Sequence, residues 1–201
     1  MDDGVLAAAR RGHRARDTRR AVAQLRRAGY DIGLQIMTGL PGASLQKEMD
    51  TVAAIIALKP DRVRIYPTLV LSGSPLAEDF RAGRYVPPGL DATIDLVARA
   101  WLLFAAAGIH VIRMGLQAHA NLTDPDRMLA GPYHPAFGEL VLSRVFRAMA
   151  EAALRRWTPA AARIRLRVNP RRVSVMTGPR RANCTSLRES FSLAAVKVAA
   201  D

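Results

Sequence analysis

At 201 residues and 21.9 kDa, half hydrophobic by count and 23% charged, the chain is long enough for one domain with a sizeable core. It is also too apolar for disorder throughout. Its single cysteine excludes an internal disulfide framework and any multi-cysteine metal site built by this chain alone. The best apolar stretch, Ala100 to Ile109, is far short of the roughly 20 residues a membrane-spanning helix needs. Met1-Asp2-Asp3 followed by arginines is unlike a secretory signal, so a cytoplasmic setting is the expectation.

Net charge is +13 and unevenly placed. Residues 141–201 carry 13 basic and 3 acidic side chains, whereas residues 61–140 carry 7 and 8. Such a surplus suits an anionic partner such as RNA, because clustered guanidiniums displace the counterions of phosphates. Of the 30 basic residues, 27 are arginine, which equally fits a general bias of composition.

In chain order, a helix is expected from about Asp17 to Ala28, capped by Asp17 or Thr18 and closed by Gly29. Ile32 to Thr38 reads as a short buried strand. After Gly39-Leu40-Pro41-Gly42, Ser44 caps a helix whose Leu45, Met49, Val52, Ile55 and Ile56 fall at steps of three and four. Lys59-Pro60-Asp61 stops it. Val63 to Val70 is the next strand, weakened in its second half by Pro67. A loop rich in Gly and Pro spans Ser72 to Gly89. Asp91 then caps a long helix closed by Gly108, and Ile109 to Leu116 forms a third strand. The order β-α-β-loop-α-β favours an α/β fold with parallel neighbours. Further on, Pro135 to Trp157 reads as a helix, Arg163 to Val168 as a half-exposed strand of period two, and Ala194 to Val198 as a final strand.

Candidate chemistry is sparse. The turn Gly39-Leu40-Pro41-Gly42-Ala43-Ser44 joins a strand end to a helix start, a place that favours anions, though Pro and Gly there are also ordinary turn punctuation. Gln35 and Met37 alternate on one face of the preceding strand. Gln35 is either a satisfied core amide or a ligand contact. The four histidines form no metal-ligand pair, and no nucleophile elbow is present. Cys184 reads as structural. Gly131-Pro132-Tyr133-His134-Pro135 either presents His134 to a pocket or leads rigidly into a helix.

Taken together, Arg11-Gly12-His13, Gly29-Tyr30, Gly39-Leu40-Pro41-Gly42 and the run Lys59 to Val70, with Ile65-Tyr66-Pro67-Thr68-Leu69-Val70 at its end, resemble the second half of a radical SAM enzyme. The resemblance is nearest to the Elongator-catalytic-subunit-like branch, with the oxygen-independent coproporphyrinogen oxidases as more distant cousins. Val111 to Gln117 and Ala130 to Gly138 resemble the same group. The resemblance implies an α/β fold, the C-terminal half of a partial (β/α)6 radical SAM barrel over residues 1–120. A small basic α+β C-terminal extension follows over residues 121–201.

It also implies S-adenosylmethionine and a 4Fe-4S cluster in the intact family, where reductive cleavage of the cofactor starts radical chemistry. By position, Arg11 resembles the contact to the cofactor's carboxylate, and Gln35 faces its methionine part. Met37 and Leu69 fall where contacts to the nucleoside are expected. No catalytic residue is singled out. The family's CxxxCxxC motif is not in this sequence, and one cysteine cannot replace three. The expected partners are therefore the N-terminal half of the barrel, encoded in the same gene or a separate chain, and RNA. The chain by itself is expected to be inactive and to bind no cluster. Without the first strands, an edge of the sheet is expected to lie open near residues 32–38. The competing reading is a non-catalytic nucleic-acid-binding α/β module that uses the basic C-terminal third.

Overall fold

A computed structural model describes residues 1–117, 119–157 and 162–201, in two units, Met1–Phe137 and Gly138–Asp201. The first opens with α1 (Asp3–Ala8), capped by Asp2, whose carboxylate accepts the Val5 N–H at 2.9 Å. Helix α2 (Ala15–Arg27) starts earlier than the sequence suggests, with Arg14 at the cap position. Asp17 is thus not the cap. It sits in the first turn, where its carboxylate accepts the Arg14 N–H at 2.9 Å. The far end of α2 closes as expected at Gly29, with φ 79°. Gly29 donates to the Arg26 carbonyl and Tyr30 to the Leu25 carbonyl, the paired bonds of a left-handed helix terminus.

Strand β1 (Gly33–Thr38), helix α3 (Leu45–Ala57) and strand β2 (Arg62–Pro67) follow, with Ser44 capping α3 through the Lys47 N–H. The long strand expected to reach Val70 instead ends at Pro67, and a separate β3 (Val70–Leu71) begins a different pairing. The Gly- and Pro-rich segment after it is not all loop. It contains α4 (Pro75–Arg81), capped by Ser74 with proline at the first helical position, where no N–H is missed. Helix α5 (Leu90–Ala106) is capped by the Gly89 backbone, so Asp91 lies in the first turn. Then come β4 (His110–Met114), α6 (Ala120–Thr123) and β5 (Met128–Ala130).

Strands β1, β2 and β4 form a parallel sheet in the order β1-β2-β4, while β3 pairs antiparallel with β5. The sheet is amphipathic. Ile36, Thr38, Val63 and Ile65 are buried, as are Val52 and Ile55 of α3 and Ile94, Val97 and Phe104 of α5. Helix α5 packs on both α3 and β4. Each such side chain, fully buried, contributes about 1.5–3 kcal/mol, so this layer outweighs the turn chemistry in holding the unit together. A register shift at Val63/Arg64 pairs Arg64 with Arg113 rather than with Ile112.

Helix α7 (Phe137–Arg155) begins at the boundary between the units, and strand β6 (Arg163–Val168) has the bounds its alternation indicates. Two short helices absent from the sequence reading, α8 (Val173–Thr177) and α9 (Ala182–Ser190), then carry the chain to β7 (Ala195–Ala200). Strands β6 and β7 are parallel, from Arg163 opposite Ala195 to Val168 opposite Ala200. Ile164, Met176, Leu187, Leu193 and Val196 form the core beneath them. Asn183, buried on α9, donates its amide to the Ser143 carbonyl (2.9 Å) and hydroxyl (3.0 Å) and to the Met176 carbonyl (3.1 Å), tying α9 to α7 and α8. No helix among the described residues is long and apolar enough to cross a membrane.

Candidate cofactor-facing site

Strand β1 and the turn after it organise the site. Period two puts Gln35 and Met37 on one face of the sheet, with Arg64 and Tyr66 beside them on β2 and Arg113 beyond on β4. Gln35, Arg64 and Arg113 are exposed, and Met37 and Tyr66 are half-buried. Gln35 is therefore not a core amide: the buried face belongs to Ile36 and Thr38. Arg11, in the turn between α1 and α2, reaches this edge, with its Nη1 3.6 Å from the Met37 sulfur. His13 holds the same turn through its Nδ1, 2.9 Å from the Arg11 carbonyl.

A cavity of about 130 Å³ is lined by Arg11, Gln35 and Met37 together. Every residue from Leu34 to Thr38 contributes to it. Neighbours on a strand point to opposite faces, so a cavity touching five in succession runs along the strand's edge rather than over one face. Among the described residues β1 has only β2 as a neighbour, so this is its open edge. Three of the four residues the sequence proposes thus meet here. Leu69 does not: it is half-buried in the turn between β2 and β3. It lies against Gly131, where a Cβ would come within 2.9 Å of it.

The Gly39–Ser44 turn separates this cavity from a second one of about 610 Å³. Gly39 has φ 75° and is held at both polar groups. Its N–H donates to Glu48 Oε1 and its carbonyl accepts the Tyr85 hydroxyl, each at 2.6 Å. Burial pushes the Glu48 carboxyl above the usual carboxylate range, opposed by the Gly39 N–H. Burial, aided by the Glu48 charge, pushes the Tyr85 phenol up to about 12. The second Glu48 oxygen and the hydroxyls of Thr38 and Thr68 are buried without a hydrogen-bond partner. Glu48 and Tyr85 escape a sequence reading because their partner lies 9 and 46 residues away. The one local hint is a carboxylate in the first turn after a Gly-Leu-Pro-Gly run.

Elsewhere the local readings resolve simply. His134 Nδ1 accepts the Ala136 N–H at 3.0 Å, a bond that fixes the lead-in to α7. Cys184 is buried in the second unit's core. Among the described residues no group of His, Cys, Asp and Glu could hold a metal ion. The donor set therefore does not fit an iron–sulfur cluster. It does fit parts of S-adenosylmethionine: a cation at Arg11, an amide at Gln35, a thioether at Met37 and an unpartnered Thr38 hydroxyl share one cavity.

Residues 60–147 match the Radical_SAM C-terminal domain. The tRNA uridine(34) acetyltransferase of Methanocaldococcus jannaschii is 31% identical over 99 residues, 48% of this chain and 18% of that protein. Elongator complex protein 3 of Saccharomyces cerevisiae is 33% identical over 92 residues, 44% of this chain and 16% of that one. The solved structure of archaeal Elp3 from Methanocaldococcus infernus, lacking its N-terminal residues 1–46, superimposes with a TM-score of 0.64 at 26% identity. It covers 76% of this chain and 34% of that one. The chain thus spans about a fifth of the length of the curated relatives it matches. The parallel sheet β1-β2-β4 with its covering helices is that of a partial radical SAM barrel. Over residues 60–147 the chain thus matches the Radical_SAM C-terminal domain, and it is similar in sequence and in fold to the Elongator Elp3 proteins.

Proposed function

We propose that the chain supplies the C-terminal strands of a radical SAM barrel and one wall of its S-adenosylmethionine site, in an enzyme that acts on tRNA. The observation that carries this reading is the meeting of Arg11, Gln35 and Met37 at one cavity along the open edge of β1. The Arg11 guanidinium would hold the cofactor's carboxylate, the Gln35 amide its methionine part and Met37 its nucleoside, while Leu69, away from this cavity, has no part in it. Bound S-adenosylmethionine would supply radical chemistry on one-electron reduction. This chain's residues orient the molecule, and the cluster comes from a segment bearing CxxxCxxC that pairs with β1. Alone, the chain binds no cluster and cleaves nothing. The tRNA substrate is supported by the name of the Methanocaldococcus jannaschii relative, a tRNA uridine(34) acetyltransferase.

The test is equilibrium dialysis of S-adenosylmethionine against the anaerobically isolated native protein and its Arg11→Ala variant. Losing a charge-assisted contact worth about 1.5–3 kcal/mol weakens binding at least tenfold. An affinity unchanged by the substitution overturns the assignment. Intact mass of the native polypeptide separates the two partner arrangements. A mass well above 21.9 kDa with a cysteine-bearing N-terminal peptide means one chain, and 21.9 kDa means two.

A further inference from the structure

The two faces of the β6–β7 sheet differ sharply in the second unit. One carries Ile164, Leu166, Val196 and Val198 into the core. The other presents Arg163, Arg165 and Arg167 from β6 and Lys197 from β7, all exposed. Parallel register puts Lys197 directly opposite Arg165 and puts Ala195 and Ala199 opposite the outer two arginines. A merely solvated face is normally of mixed sign, because like charges set opposite each other on a sheet repel. Here no acid occupies an opposing position. Arg167 is paired only loosely, with Asp201 at 3.6 Å, and among the described residues Arg163, Arg165 and Lys197 have no ion pair. The small side chain of Ala195 leaves room for a groove of about 500 Å³ beside the arginine row, lined by these four cations with Ile164 and Ala195. Alternate side chains on a strand stand about 6.6 Å apart, so the row offers evenly spaced cations along a line.

We propose that this cationic face binds the phosphodiester backbone of a nucleic-acid strand lying along β6. The row supplies charge at regular intervals, the groove supplies room for the sugars, and the strand supplies the anions that the register leaves unbalanced. The face lies outside the stretch that matches the radical SAM domain. It stands whether or not the first unit takes S-adenosylmethionine.

The test is fluorescence anisotropy of the full chain with a labelled 20-nucleotide single-stranded RNA at 50 and 200 mM salt. Each phosphate neutralised on a single strand contributes about −0.7 to the log–log salt slope. Arg165→Gln with Lys197→Gln therefore flattens the slope by about 1.4, and the loss of affinity between the two salt concentrations shrinks about sevenfold. Arg19→Gln with Arg20→Gln on α2 changes net charge equally and leaves that loss unchanged. The first pair melts no earlier than the parent, since it removes a repulsion. Equal binding of a DNA strand of the same sequence identifies the shared backbone as the ligand, and preference for RNA identifies RNA as its source. Equal flattening by the two pairs overturns the proposal, as does polyglutamate binding as tightly as RNA with the same dependence on Arg165 and Lys197.

Discussion

Replacing Tyr85 by phenylalanine removes one oxygen and leaves the ring in place, so its cost isolates the grip on the Gly39 carbonyl. The ring is 7% exposed, and the lost bond is 2.6 Å long. A bond of this kind contributes a net 0.5–1.5 kcal/mol, about 1 kcal/mol here. Glu48→Ala strips the Gly39 N–H of its acceptor, which costs about 1–3 kcal/mol, partly offset by removing a carboxylate that burial already disfavours. Both side chains hold the two polar groups of one residue, so their losses do not add. Once either grip is gone the turn relaxes, and the other is worth less. A double-mutant cycle should return a coupling of at least about 0.5 kcal/mol. Urea denaturation at pH 7 measures all four proteins, with the slope constant across them so that midpoints report stability. If Tyr85→Phe lies within about 0.3 kcal/mol of the parent, or if the cycle closes additively within the usual scatter, the turn is held by something other than this pair.

Acidity tests the same residues differently. Glu48's folded pKa is raised, so its contribution is fully present below the ordinary value of 4.5 and is lost as pH rises through the elevated one. Glu48→Gln keeps an oxygen for Gly39, and the fall in stability on that rise should flatten in the variant's pH–stability curve. For Tyr85 the same sign places the loss between pH 10 and about 12, a drop that Tyr85→Phe lacks. Gly29→Ala and Gly39→Ala separate conformation from crowding. Both sites have positive φ, but only at Gly39 does a Cβ meet Pro88, at 2.8 Å. The first should cost about 1 kcal/mol and the second an additional 1–3 kcal/mol, read from the same urea midpoints. In the second unit, Asn183→Ala leaves buried acceptors at Ser143 and Met176 unsatisfied, at about 2–4 kcal/mol. In a unit this small that should lower the melting temperature by at least about 8 °C, and a drop under 2 °C would remove Asn183 from its assigned part.

What the sequence displays and what it conceals divide along the range of the interactions. β6 is legible to the residue because arginine and apolar side chains alternate within it. The end of α2 is legible because only a residue at ease with positive φ suits Gly29. Caps drift, as at Asp17 and Asp91, since a carboxylate in a first turn serves almost as well as one at the cap. Helices α4, α8 and α9 are too short for a periodic stripe to stand out, although Ser74-Pro75 marks the start of α4. The meeting of Arg11 with Gln35 and Met37 came from resemblance, and the geometry brings them together. The place of Arg113 beside Arg64 depends on a register shift that no local pattern encodes. The hold of Glu48 and Tyr85 on Gly39 is long-range in the same way.

The open side of β1 has a consequence for hydrogen exchange. In a parallel ladder the amides of a strand turn alternately to its two neighbours. β2 has a strand on each side, so its amides from Val63 to Tyr66 should exchange as one slow group, released only when the sheet opens. Among the described residues β1 has one neighbour, and protection along it should fall on every second amide, the remainder exchanging with solvent on a far shorter timescale. That comb is a ready reporter: a strand docking against β1 should fill in its missing teeth while leaving the pattern of β2 as it was.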